Sequence, residues 1–168
     1  MNKYGVPHLI LDKIWLIDEE LLRALDVRAL IVDVDNTLTT HGAPEPADEV
    51  VPWLRRMEEA GLPIVILSNN THRRVEPFAK LLGLPCVSFA VKPMRWGFLR
   101  AARQLGQPPK HIAVVGDQIF TDIVGGNKAG MKTILVLPID DDTDRYVQFK
   151  RRFEKPYLDA YYKSKKNR

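Results

Sequence analysis

The chain has 168 residues, 45% of them apolar and 27% charged, enough for one folded domain with a substantial core. A single cysteine, Cys86, excludes an internal disulfide framework, and no window approaches the roughly 18 uninterrupted apolar residues of a membrane span. Charge is uneven: residues 145–168 hold nine Lys or Arg against Glu154 and Asp159, a net +7, while the remaining 144 residues sum to −3.

In chain order, the first 30 residues scatter Asp12, Lys13, Asp18, Glu19 and Glu20 among apolar positions, unlike a secretory signal, so a cytoplasmic protein is expected. Ile14, Ile17, Leu21 and Leu25 form a helical stripe, with Trp15 beside it, read as core packing. Apolar runs then alternate with helical patterns. "ALIVDV" (29–34), "PIVILS" (63–68), "PCVSF" (85–89), "HIAVVG" (111–116) and "KTILVL" (132–137) read as strands. The segments 47–61, 72–83, 95–106 and 120–130 read as helices, closing at Gly residues suited to C-caps. Strands apolar on both faces belong to a parallel sheet covered on both sides. The expected fold is therefore α/β: a doubly wound, mainly parallel five-stranded Rossmann-like sheet. An N-terminal amphipathic segment (1–27), an α/β core (28–138) and a basic, aromatic C-terminal segment (139–168) would make up the chain.

Ligands of such sheets bind at the carboxyl ends of the strands. Asp33 and Asp35 lie where the first of these strands runs out, and two close carboxylates need a cation; an oxygen site that also receives phosphate suits Mg²⁺. Ser68 ends the second strand in "SNNT", Lys92 stands in "VKP" after the third, and "GDQIFTD" brings Asp117 and Asp122 after the fourth. Taken singly, Asp35 could start a turn, Ser68 could cap a helix, Lys92 could be a solvated surface residue and Asp122 could cap a helix. Together they surround one crevice with carboxylates, a hydroxyl and an ammonium.

"DVDNTLT", "SNN", "KP" and "GDQIFTD" resemble the four motifs of the haloacid dehalogenase (HAD) superfamily of phosphohydrolases, and within it look most like the YqeG-type subgroup, whose relatives include phosphatidylglycerophosphate phosphatases. The resemblance implies a Mg²⁺-dependent phosphomonoesterase. Asp33 would be the nucleophile and a metal ligand, and Asp35 the general acid and base, ligating metal through its carbonyl. Ser68 and Asn69 would hold phosphoryl oxygens, with Asn70, Arg73 and Arg74 as further substrate contacts. Lys92 would neutralise transition-state charge, Asp117 would complete the metal shell, and Asp122 would act on that shell or orient Lys92.

The gaps of 33 residues from Asp35 to Ser68 and 24 from Ser68 to Lys92 leave room for one helix and one strand each, so no cap domain is expected. An open crevice suits a bulky phosphorylated substrate: a membrane lipid, preferred here, a phosphoprotein, or a nucleic-acid end. A second subunit could also serve as cover in a homo-oligomer. Tyr146, Phe149, Phe153, Tyr157 and Tyr161 among basic residues could lie on an anionic bilayer, placing the enzyme peripherally on the membrane, or could pack on the domain. "DDDTD" (140–144) reads as helix capping before this segment. A phospho-receiver domain, the alternative of another class, places its acceptor on a later strand than its acidic pair, whereas here both aspartates share one strand end. "GGNKAG" (125–130) has the wrong spacing for a P-loop.

Overall fold

The computed structural model describes residues 2–140 and 153–166. Arg145, Tyr146, Phe149, the basic run 150–152, Arg168 and residues 141–144 of the acidic run lie outside the described residues.

Six strands, all parallel, form one sheet: β1 (Leu9–Leu11), β2 (Ala29–Val32), β3 (Ile64–Leu67), β4 (Cys86–Val87), β5 (Ile112–Gly116) and β6 (Lys132–Val136), in the order β1-β6-β5-β2-β3-β4. The five expected strands are present, and the sixth corrects the count. β1 is three residues long at the sheet edge, too short to show a pattern. Its register comes from β6, with Leu9, Ile10 and Leu11 opposite Ile134, Leu135 and Val136.

β2, β3 and β5 are buried along their whole length, as a sheet covered on both faces requires. Alternate residues feed opposite cores. Leu30, Val32, Ile66 and Val115 meet Trp53, Met57, Val75 and Phe78 from α2 (Val50–Glu59) and α3 (His72–Leu82). Ile31, Val65, Leu67 and Val114 meet Phe98, Ala101 and Ala102 of α4 (Arg95–Leu105). The N-terminal stripe joins the first core through a 3-10 turn at Ile14–Leu16 and through α1 (Glu19–Ala24), which Asp18 caps by accepting from the Leu21 N–H at 2.8 Å. Ile14 and Ile17 are fully buried, and Leu21 and Leu25 half-buried. The Trp53 indole N–H closes this contact on the Ile17 carbonyl at 2.9 Å.

The expected helix at 120–130 is two elements. A π-helical turn, Ile119–Ile123, precedes α5 (Val124–Lys128). Its wider winding turns Asp122 inward beneath the end of β5, a common use of such turns at functional sites. α6 (Lys155–Lys166) packs Tyr157 against Ile119, Ile123, Leu135 and Phe120. The hydroxyl of Tyr161 accepts from the Ile10 N–H at 3.3 Å and that of Tyr157 from the Asn2 N–H at 3.0 Å. These two tyrosines therefore face the domain. No helix among the described residues is long and apolar enough to cross a membrane.

Candidate active site

The chain runs from β2 outward through β3 to β4, then returns to place β5 on the other side of β2. The β2/β5 boundary is thus the switch point of the sheet, where loops diverge and leave a crevice at the carboxyl ends of the strands. Asp33 extends the β2 ladder by one bond, its N–H donating to Val115 O at 3.0 Å, and Asp117 follows β5 directly.

One oxygen from each of Asp33, Asp117 and Asp122 falls within 4.8 Å of the others. Asp117 and Asp122 are each only 1% exposed, and Asp33 9%. Lys92 reaches into this cluster, with Nζ 2.7 Å from Asp33 Oδ1 and 2.7 Å from Asp122 Oδ1. Burial pushes Asp33 up to about 6, with Lys92 pulling against it and Asp122 adding to it. Burial also opposes the Lys92 charge, but Asp122 and Asp33 overcome it and hold the ammonium above its ordinary value. Asp122 spends its other oxygen on the Gln118 N–H and the Thr121 hydroxyl, both at 3.3 Å. Gly116 makes room for it: a Cβ there would lie 2.4 Å from Asp122 Cγ. Among the described residues, three buried carboxylates meet one ammonium, which bonds two of them. That leaves an excess of oxygen charge which a hard divalent cation such as Mg²⁺ fits.

The Asp35 side chain stands apart from the cluster. It accepts from Asn70 Nδ2 at 2.8 Å and from the Gly42 N–H at 3.0 Å, and Arg74 approaches at 3.6 Å while donating to Ala43 O at 2.8 Å. Ser68, 2% exposed, directly follows β3, its Oγ accepting from the Asn70 N–H at 3.1 Å. The Asn69 side chain clamps the backbone of Lys92, accepting from its N–H at 2.6 Å and donating to its carbonyl at 3.3 Å. That clamp and the Gly116 clearance carry no pattern in the sequence. Arg73 is exposed at the start of α3. The structure thus brings Asp33, Lys92, Asp117 and Asp122 into contact, groups Asp35 with Asn70 and Arg74 alongside, and leaves Arg73 on the rim. A concavity of about 570 Å³ lined by Leu54, Leu62, Pro85 and Leu105 lies at the other end of the sheet, away from this chemistry.

Residues 41–130 match the family described as haloacid dehalogenase-like hydrolase. The chain is 36% identical over 160 residues to the "Probable phosphatase YqeG" of Bacillus subtilis, an alignment covering 95% of this chain and 93% of that one. The chain belongs to the haloacid dehalogenase-like hydrolases. It is also 31% identical to the chloroplastic phosphatidylglycerophosphate phosphatase 1 of Chlamydomonas reinhardtii, over 89% of this chain and 60% of the relative. NagD of E. coli shares the fold at a TM-score of 0.56 and 15% identity, over 71% of this chain and 93% of that one. A single helix separates β2 from β3, and another β3 from β4, so this hydrolase carries no cap between them.

Proposed function

We propose that this HAD-family phosphatase hydrolyses phosphomonoesters through an aspartyl-phosphate on Asp33, with Mg²⁺ as cofactor, and that its substrate is phosphatidylglycerophosphate. The catalytic unit is residues 28–138, flanked by the segments 1–27 and 139–168. The chemistry rests above all on one observation: Asp33, Asp117 and Asp122 converge within 4.8 Å at the switch point of the sheet, with Lys92 bridging two of them.

A carboxylate oxygen of Asp33 attacks phosphorus, the bond to the ester oxygen breaks, and the departing alkoxide takes a proton from Asp35. Asp35 then removes a proton from water as that water attacks the phosphoaspartate, releasing inorganic phosphate and restoring Asp33. The bonds from Asn70, Gly42 and Arg74 set the aim of Asp35. Ser68 Oγ already accepts from the Asn70 N–H, so its own proton is available for a phosphoryl oxygen. Lys92, fixed by Asp33, Asp122 and the Asn69 clamp, balances the charge that grows on the equatorial oxygens. Mg²⁺ held by Asp33, Asp117, Asp122 and the Asp35 carbonyl would neutralise and orient the phosphoryl group.

Support for the lipid substrate comes from the Chlamydomonas relative and from the uncapped crevice, which admits a headgroup whose acyl chains stay outside. Phosphate release tests the chemistry. Asp33→Asn should lower turnover by roughly six orders of magnitude, the scale lost when a nucleophile that acts within a unit is removed, while circular dichroism shows the fold intact. EDTA should silence the wild type and Mg²⁺ restore it. Full activity of Asp33→Asn would refute the assignment. Turnover of a dispersed short-chain phosphatidylglycerophosphate tests the substrate.

A further inference from the structure

The loop from β4 to α4 carries a surface that the chemistry does not use. Along "SFAVK", Ser88, Ala90 and Lys92 turn inward and are buried, while Phe89 and Val91 turn outward. Both outward residues take a left-handed backbone, φ +49° and +51°. For an aromatic and a β-branched residue that conformation is a genuine outlier, costing on the order of 1–3 kcal/mol each. The fold holds it in place: the Phe89 N–H donates to Asn70 O and the Ala90 N–H to Ser68 O, both at 3.0 Å, and the Phe89 ring stands edge-on to His72. Gly97 allows α4 to close against this loop, since a Cβ there would lie 2.7 Å from Ala90 O. Strain thus displays two apolar side chains either side of Ala90, just before the catalytic lysine. Met94 and Trp96 extend the patch, and all four residues are between 47% and 55% exposed.

The charge around this patch is mainly basic, its one nearby acid, Glu76, lying 3.2 Å from His72. From residue 77 to residue 116 the chain holds no Asp or Glu, although the whole chain averages one acid in eight residues. The same stretch carries Lys80, Lys92, Arg95, Arg100, Arg103 and Lys110. Arg95 and Arg100 are exposed on α4, and Arg73 is exposed at the start of α3, next in the chain to His72. A protein-binding patch needs no such purge of acids. A bilayer of anionic lipid favours it, because apolar side chains enter the acyl boundary while basic groups meet the headgroups.

We infer that the rim formed by Phe89, Val91, Met94 and Trp96, with Arg95 and Arg100, docks the enzyme on an anionic lipid bilayer with the crevice facing the headgroups. The inference deepens the lipid-phosphate reading and rests on it for the enzyme's purpose, but the docking is measurable without turnover.

Full-length protein is mixed with vesicles of phosphatidylglycerol and phosphatidylcholine containing no phosphomonoester, and binding is read by flotation and by Trp fluorescence. Of the three tryptophans, Trp53 is buried, Trp15 half-buried and Trp96 exposed, so a blue shift on binding that Trp96→Phe abolishes identifies the docked face. Two variants follow. Val91→Asn/Met94→Ser/Trp96→Ser removes three of the four apolar side chains of the rim, with Asn suited to the positive φ at 91. Arg95→Gln/Arg100→Gln removes charge without touching apolar area. Each should weaken vesicle binding about tenfold or more at low salt, the second less at high salt, while both keep wild-type turnover of a small soluble ester such as p-nitrophenyl phosphate. Wild-type protein that ignores these vesicles yet hydrolyses the dispersed lipid phosphate overturns the docking surface and leaves the substrate reading intact. Docking lost in both variants, with no hydrolysis of the lipid phosphate by the wild type, upholds the surface and refutes the substrate. A wild type that forms dimers dispersed by the rim variant, without binding vesicles, assigns the patch to a second copy and overturns the proposal.

Discussion

The two sides of the crevice are built on opposite principles. On the β2/β5 side the groups are buried and acidic, and each is held by a neighbour: Lys92 ties Asp33 to Asp122, and Gly116 gives Asp122 its space. On the β4 side the groups are exposed, apolar and basic, and the backbone is strained to present them. A desolvated cluster keeps its geometry because any movement leaves a charge unpaired in low dielectric. An exposed rim gains nothing from the protein and everything from what it touches. Loss of a group from the first side should therefore affect turnover of every substrate, and loss from the second only that of a substrate at a surface.

Removal of Lys92 is the most severe way to break the acidic side. Lys92→Met leaves Asp33 and Asp122, beside Asp117, without the ammonium that ties them together. Turnover should fall by about a thousandfold, the scale of a lost transition-state electrostatic contact. The metal-free variant should also lose about 3 kcal/mol of stability, as expected when one partner of a buried ion pair is deleted. Calorimetry with and without Mg²⁺ checks the cause: a divalent ion should recover much of the stability without recovering turnover. Equal stability of wild type and variant in EDTA would show that the cluster does not depend on the ammonium.

Gly116→Ala probes the same side sterically. The added methyl would meet the Asp122 carboxyl well inside contact distance, so either β5 or the π-helical turn has to shift. An overpacking cost of about 1–3 kcal/mol is expected, together with weaker activation by Mg²⁺. Activation at wild-type metal concentrations would mean that Asp122 can move without consequence.

Asp33 and Asp117 are legible in the sequence because apolar runs end on them, and the parallel sheet follows from strands without a polar face. Asp122 was readable only as a residue type in a motif. The π-helical turn that aims it differs from an α-helix by a single residue of winding, and no side-chain period encodes that. β1 escaped because three residues at an edge borrow their register from β6. The rim escaped for a stronger reason. "PCVSF" reads as a strand through to Phe89, whereas β4 spans only Cys86–Val87, and tertiary bonds then force Phe89 and Val91 into a conformation their own propensities oppose. Local preference cannot announce a site at which local preference is overruled.

Between the two sides stands Asp35, whose aim depends on Asn70 and Arg74. Asn70→Ala deletes the 2.8 Å bond but leaves the Gly42 N–H and the Arg74 guanidinium in place. Losing one hydrogen bond to a carboxylate, worth roughly 1.5 kcal/mol, should lower kcat about tenfold with little change in KM on a small ester. A rise in KM at constant kcat would place Asn70 in substrate binding instead.

The smallest effect is expected from the lysines that end α6, although composition alone makes them the obvious lipid anchor. α6 begins beside the crevice, where Glu154 accepts from the Ile119 N–H at 3.0 Å just beyond β5. It then carries Tyr161 to the Ile10 N–H, and Lys165 lines a concavity together with Val6, Pro7 and His8, the residues before β1. At 1.5 Å per residue, Lys163, Lys165 and Lys166 lie about 12–17 Å along the helix from its start at Lys155. That distance exceeds the roughly 8 Å over which charge is felt at physiological salt. With the rim docked on anionic vesicles, Lys163→Gln/Lys165→Gln/Lys166→Gln should change affinity less than about twofold at physiological ionic strength, well short of the loss on removing Arg95 and Arg100. The difference should narrow as salt is lowered and the screening length grows toward the length of the helix. A larger loss from the lysines than from the arginines would turn the molecule over on the membrane and leave the crevice facing away from the lipid.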